Sequence, residues 1–137
     1  MPPSEPERYP VQPAGQTLAV IAEVLYLVNL LLVPGLAFVI LLIIYLVKIK
    51  TAPALAACHL RQTLSASLWA GVILVVVNLV IIFLGGYTSS WTWVVVVLYF
   101  TICHATLVLV GSVGLARAMA GQTFRYPVVG RRCDDLQ

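Results

Sequence analysis

Arg61–Arg117 reads RQTLSASLWAGVILVVVNLVIIFLGGYTSSWTWVVVVLYFTICHATLVLVGSVGLAR, and positions 62 to 116 between the two arginines carry no formal charge. An uncharged run of this length has room for two membrane-crossing helices of about 20 residues each. Gly85-Gly86-Tyr87-Thr88-Ser89-Ser90 divides it near the middle, with Trp91 and Trp93 close behind. Aromatic side chains of this kind favour the headgroup level of a bilayer. Leu64 to Leu84 therefore predicts one crossing, and Trp91 to about Ala120 its return. Val94 to Val97 is β-branched, but an isolated strand in lipid leaves its backbone unpaired, so this run is still expected to be helical.

Upstream, Thr17 to Val47 carries one ionisable residue, Glu23. As a straight helix this block would be roughly 46 Å long, against a hydrocarbon core of about 30 Å. Pro34-Gly35 lies near its centre, with Asn29 just before. Proline removes a backbone donor and glycine tolerates the turn. A single kinked, tilted span and a tight helical hairpin of residues 17–32 and 35–49 both fit. The reading favoured by length and by the Pro-Gly break is the hairpin. The fold class is thus an all-α integral membrane protein, a compact bundle of three to four transmembrane helices at about 17–32, 35–49, 62–84 and 91–120.

Composition excludes other classes. Hydrophobic residues make up 61% and charged residues 9% of the chain, against about 45–50% and about 25% in soluble domains. The net charge of +3 comes from few basic residues, set at the edges of the apolar runs, and does not indicate nucleic-acid binding. Cys58, Cys103 and Cys133 are odd in number and lack metal-ligand spacing, with Cys103 at bilayer depth, so no disulfide framework is expected. Residues 1–15 hold Pro2, Pro3, Pro6, Pro10 and Pro13, with Glu5 and Glu7 where a signal peptide would be basic. They read as an extended, exposed tail ahead of the bundle at 16–121. Residues 122–137 form a C-terminal tail.

Lys48, Lys50 and Arg61 separate the first block from the second span, and Arg117, Arg125, Arg131 and Arg132 lie at or beyond the end of the last. The loop at 85–90 has no charge. Basic segments stay in the cytoplasm, so 48–61 and the C-terminus are expected there, with 85–90 outside. A hairpin would keep the N-terminus inside as well. The expected location is a multi-pass position in the bacterial inner membrane.

Two motifs flank the spans on that side. His59-Leu60-Arg61-Gln62-Thr63-Leu64 leads into one, and Ala118-Met119-Ala120-Gly121-Gln122-Thr123-Phe124-Arg125-Tyr126-Pro127 follows the last. The pair resembles a family of small bacterial membrane proteins of unknown function, with a His-x-Arg-Gln-x-Leu lead-in and an Ala-x-x-Gly-x-x-x-Arg-Tyr-Pro exit, distantly similar to a chloroplast inner-envelope import component. The likeness covers roughly residues 17–130. It departs in the apolar loop Thr51–Cys58 and in His104. It implies a helical bundle and no established activity. On physical grounds His59, Arg61 and Gln62 would stand at a helix N-terminus in the headgroup zone, where Arg61 suits a phosphate or carboxylate. Gly121 would end the last helix, letting Arg125 and Tyr126 fold back. These five residues are expected either to anchor the bundle or to form a lipid or partner interface.

Four polar residues fall at membrane depth: Glu23, Asn29, Asn78 and His104. Such groups are costly in lipid and usually face other helices. Glu23 is expected to face His104 or a group on another protein. Gly111, Gly114, Ala118 and Gly121 form a small-residue seam along the last helix, with Ser67 and Gly71 as a matching notch on the preceding span.

No catalytic set is present, so no enzymatic activity is expected. The leading expectation is an accessory or structural subunit docked on a larger membrane complex, energy-transducing or otherwise multi-subunit. A homo-oligomeric pore or translocation component is the alternative. A redox protein holding haem or quinone through His104 is the lesser one, since His59 lies about 20 Å away along the membrane normal. No cofactor is expected beyond bound phospholipid.

Overall fold

The computed structural model describes residues 12–130 and Cys133. The expectations for residues 1–11, 131–132 and 134–137 lie outside the described residues. Four α-helices account for the fold, and the described residues contain no strand: α1 (Gln16–Leu31), α2 (Leu36–Lys48), α3 (Ala54–Phe83) and α4 (Ser90–Met119). A short 3-10 turn, Gly86–Thr88, joins α3 to α4.

The first apolar block is two helices. α1 stops at Leu31 and α2 starts at Leu36, and the two pack on each other as a hairpin. Gly35 adopts φ 89°, which an L side chain resists. Its amide donates to Asn29 Oδ1 at 2.9 Å, so the polar residue buried in the sequence pattern closes the turn. At 1.5 Å per residue the arms are about 24 and 20 Å long, shorter than a full hydrocarbon core.

α3 begins at Ala54, eight positions before the expected start near 62. Pro53 occupies the N-cap at φ −55°, and Ala-Leu-Ala-Ala follows with strong helix propensity. Of the apolar segment Thr51–Cys58 read as a loop, Ala54 onward belongs to the start of this helix. α3 and α4 are each 30 residues long, and by length and composition both can cross a membrane. Their most apolar windows are only 11% and 6% buried, unlike the core helix of a soluble protein.

α1 is the centre of the bundle. It packs against α2, α3 and α4, whereas α3 and α4 meet each other little beyond their connecting turn. Its inward stripe is Ala19, Ala22, Glu23 and Tyr26, at the three- and four-residue spacing of one helix face. The small residues of α4 receive this stripe. A Cβ on Gly111 would come within 2.6 Å of the Tyr26 ring, and one on Gly114 within 2.6 Å of the Glu23 carboxylate. The seam is therefore internal and its counterpart is α1. Of the notch expected on α3, Ser67 is buried, whereas Gly71 receives no neighbour, since nothing lies within 4 Å of a Cβ there.

Candidate functional site

The two flanking motifs meet Glu23 in one buried cluster. His59, Gln62 and Thr63 share a face of α3, three and four residues apart, and that face looks at α1. After α4 ends, Gly121 takes φ 67° and the chain turns back. Gln122 to Gly130 then lies over the N-terminal turns of α3, fastened where Ser65 Oγ donates to the Val129 carbonyl at 3.0 Å. This return carries Tyr126 inward until it is 1% exposed. Glu23, His59, Gln62 and Thr63 have no exposed surface at all.

The hydrogen bonds define the cluster's proton inventory. His59 Nδ1 stands 2.6 Å from Glu23 Oε1, and Nε2 stands 3.0 Å from the Gln122 carbonyl oxygen. A carbonyl only accepts, so Nε2 carries a proton. The short Nδ1–Oε1 contact then needs a second proton between carboxylate and imidazole. The pair is therefore neutral as a whole, whether written as imidazolium and carboxylate or as imidazole and carboxylic acid. Tyr126 OH donates to the other oxygen, Glu23 Oε2, at 2.5 Å. Burial, and next the Glu23 carboxylate, push the Tyr126 phenol far above its ordinary value. The phenol thus stays a donor.

Surrounding groups complete the shell. The Tyr126 backbone amide donates to Gln62 Oε1 at 3.4 Å. The Tyr126 ring meets Tyr26 edge-on, with centroids 5.6 Å apart at 72°. Thr63 Oγ1 donates to the His59 carbonyl at 2.9 Å. Cys58 and Cys133 form a disulfide with a Cα–Cα separation of 5.3 Å, and Gln62 Nε2 donates to Cys133 Sγ at 3.4 Å. The arrangement works as a clasp. It joins α1, α3 and the C-terminal return through bonds that have no alternative partner in an apolar bundle.

Several expectations are corrected by this geometry. Glu23 faces His59 and Tyr126, not His104 or an outside protein. His59, Gln62 and Tyr126 point into the bundle and are not an outer lipid or partner surface, because α3 begins two turns earlier than expected and the return covers that end. Cys58 and Cys133 are paired, because the return brings position 133 to the first turns of α3; Cys103 is the free cysteine. Both ring nitrogens of His59 are occupied, leaving no lone pair for a metal. Among the described residues no cluster of three His, Cys, Asp or Glu side chains could hold a metal ion.

The remaining residues stand apart from the clasp. Arg125 Nε donates to the Gly130 carbonyl at 3.4 Å, within the return. Arg61 lines a groove between α2 and α3. Asn78 donates to the Leu74 carbonyl at 2.7 Å and accepts from Tyr87 OH at 2.5 Å, tying the end of α3 to the turn. His104 stacks on Phe100, with ring centroids 5.3 Å apart, and has no hydrogen bond among the described residues.

Two long apolar helices with exposed faces, a short helical hairpin and a sealed Glu-His-Tyr clasp define a small all-helical membrane protein. The model of the magnetosome magnetite crystal formation protein family (MamF/MmsF) matches residues 14–132, nearly the whole chain, and the chain belongs to that family. Among curated proteins and solved structures nothing matches it.

Proposed function

We propose that this chain is a non-catalytic, multi-pass accessory subunit of a membrane assembly that takes part in magnetite crystal formation. The family supplies the process. The exposed apolar faces of α3 and α4 supply the docking surfaces. In this reading α3 and α4 cross the inner membrane or a membrane derived from it. The α1–α2 hairpin enters from the clasp side, and the basic clasp end faces the cytoplasm.

The observation that carries the reading is His104. It lies 14 residues after Ser90 and 15 before Met119, at the middle of α4. That puts it about 21 Å from either helix end. The other three residues singled out at membrane depth are satisfied inside the chain: Glu23 by His59 and Tyr126, Asn29 by Gly35, and Asn78 by Leu74 and Tyr87. A half-buried imidazole without a hydrogen bond at mid-bilayer is costly unless a neighbouring helix supplies a partner.

The test is gentle detergent extraction followed by identification of co-purifying membrane proteins, for the wild type and for His104→Leu. The expected result is a set of companions that His104→Leu loses while keeping the wild-type melting temperature. A wild type that runs as a free, monodisperse monomer overturns the reading, as does a variant that keeps every companion.

A further inference from the structure

We infer that the groove between α2 and α3 binds the phosphodiester headgroup of an anionic phospholipid, with Arg61 as its principal ligand. The groove is lined by Tyr45, Arg61, Leu64, Ser65, Leu68 and Trp69 and encloses about 150 Å³.

Charge leads to this assignment. Glu23 is the only acid among the described residues, and it is sealed inside the clasp with His59. Five cations, Lys48, Lys50, Arg61, Arg117 and Arg125, stand at the same end of the bundle, and none of them pairs with a carboxylate among the described residues. Two of them have acceptors within the chain: Arg117 donates to Gln122 Oε1 at 2.6 Å and Arg125 to the Gly130 carbonyl. The side chains of Lys48, Lys50 and Arg61 have none among the described residues. Of these three only Arg61 lines a groove. A guanidinium presents a planar fork of donors that fits two phosphate oxygens at once, which a lysine does not.

Depth and shape select a lipid over a free anion. Arg61 precedes Leu84 by 23 residues, or roughly 34 Å of helix, so it sits at the headgroup boundary when α3 crosses the bilayer. Below it, Leu64 and Leu68 continue the groove wall in the direction an acyl chain takes. Trp69, half exposed, and Tyr45 border the same groove. The Tyr45 hydroxyl has no hydrogen bond among the described residues, leaving it as a second donor beside the guanidinium. The Ser65 hydroxyl is already committed to Val129 and contributes shape only.

The site rests on the bilayer reading of α3, and the experiment separates the two. Protein in an uncharged detergent is titrated with dilauroyl phosphatidylglycerol, with dilauroyl phosphatidylcholine, or with inorganic phosphate, all at one ionic strength, while thermal unfolding is followed by tryptophan fluorescence. Saturating phosphatidylglycerol is expected to raise Tm by roughly 5 °C, with a much smaller effect of the other two. Arg61→Gln weakens the apparent affinity by roughly 10- to 100-fold. Arg61→Lys, which keeps the charge but loses the fork, falls between. Lys50→Gln leaves the affinity within about twofold of wild type.

Equal loss in Arg61→Gln and Lys50→Gln overturns the site in favour of diffuse charge. An equal effect of inorganic phosphate or phosphatidylcholine overturns the anionic-lipid assignment, and so does no response to phosphatidylglycerol. Labelling of single cysteines at Thr51 and Ser89 in intact cells reads topology independently. Opposite sides together with no lipid response means the groove proposal alone has failed; the same side means the bilayer reading has failed.

Discussion

Replacing Glu23 by leucine should unfold the bundle rather than detach it from other proteins. The carboxylate is fully buried and holds His59 Nδ1 at 2.6 Å and Tyr126 OH at 2.5 Å. Leucine fills a similar volume and removes both acceptors. His59 keeps its Nε2–H bond to the Gln122 carbonyl, but it either remains an unpaired buried cation or surrenders the Nδ1 proton and leaves Nδ1 a buried lone pair with no donor. Breaking a buried charged pair in this way costs about 3–5 kcal/mol. Tyr126→Phe removes one bond and keeps the edge-on contact with Tyr26, so it should cost about 1–3 kcal/mol. At roughly 3–5 °C per kcal/mol for a chain of this size, Glu23→Leu lowers Tm by about 10–20 °C and Tyr126→Phe by about 5–10 °C. The double variant should be little worse than Glu23→Leu alone, because the Tyr126 bond is already gone, and that non-additivity marks direct contact. Thermal unfolding in mild detergent reads all three. A Glu23→Leu protein melting within 2 °C of wild type, or strict additivity in the cycle, refutes the clasp.

Other outcomes follow from the same contacts. Gly114→Leu should destabilise by at least about 1–3 kcal/mol, since its first side-chain carbon already meets the Glu23 carboxylate at 2.6 Å, and should cost more than Val110→Leu, which enlarges a half-buried side chain already packed beside Tyr26. The Tyr126 phenol is held protonated in the folded state while the unfolded phenol ionises at its ordinary value of 10.0. Its contribution is therefore fully present below pH 10 and is lost as pH rises beyond it. Tm measured from pH 8 to 11 should fall more steeply above pH 10 in wild type than in Tyr126→Phe. The Cys58–Cys133 bond closes a loop with a sequence separation of 75. By loop entropy its removal in Cys133→Ser costs the oxidised protein about 4.5 kcal/mol at most, visible as a lower Tm than the untreated wild type.

How much of this was legible in the sequence depends on the range of each signal. The two long helices and the break at Pro34-Gly35 are written in charge gaps and in residues with local backbone consequences. The role of Asn29 as the turn's acceptor lies six residues from its donor, still within local reach. The start of α3 was missed because Pro53 reads equally as the end of one element and as the cap of the next. The Ala-Leu-Ala-Ala that follows is the feature that decides for the cap. The clasp was harder. Glu23 and His59 are 36 residues apart, and Glu23 and Tyr126 are 103 apart, so no local rule pairs them. Periodicity did hold a clue: Glu23 interrupts the apolar stripe of α1 with one polar group, and His59, Gln62 and Thr63 interrupt α3 on one face. Polar interruptions that lie far from a helix end or turn are satisfied most fully by facing each other, as these do. The disulfide was unreadable because it depends on the path of the return after Gly121, which nothing in the cysteine spacing encodes.

The disulfide and the basic residues make opposite statements about sidedness, and chemistry decides how to test them. Cys58 and Cys133 lie at the end of the bundle that bears Lys48, Lys50, Arg61, Arg117 and Arg125, while residues 85–90 carry no charge. Basic loops remain in the cytoplasm, where thiol reductants keep cysteines reduced. An oxidised pair belongs in a periplasmic or lumenal compartment. The charge asymmetry is concentrated in short loops close to the spans, the setting in which it governs orientation. The expectation is therefore that this end is cytoplasmic and that Cys58 and Cys133 are thiols in the cell, pairing once the protein is exposed to air. Acid quenching of intact cells, followed by alkylation in denaturant, should find both cysteines modified. The same protein extracted without quenching should yield the disulfide and a faster-migrating species on a non-reducing gel. Recovery of the intact disulfide from quenched cells refutes that orientation. It would place the clasp end in the oxidising compartment, together with the groove at Arg61 and the return that carries Tyr126.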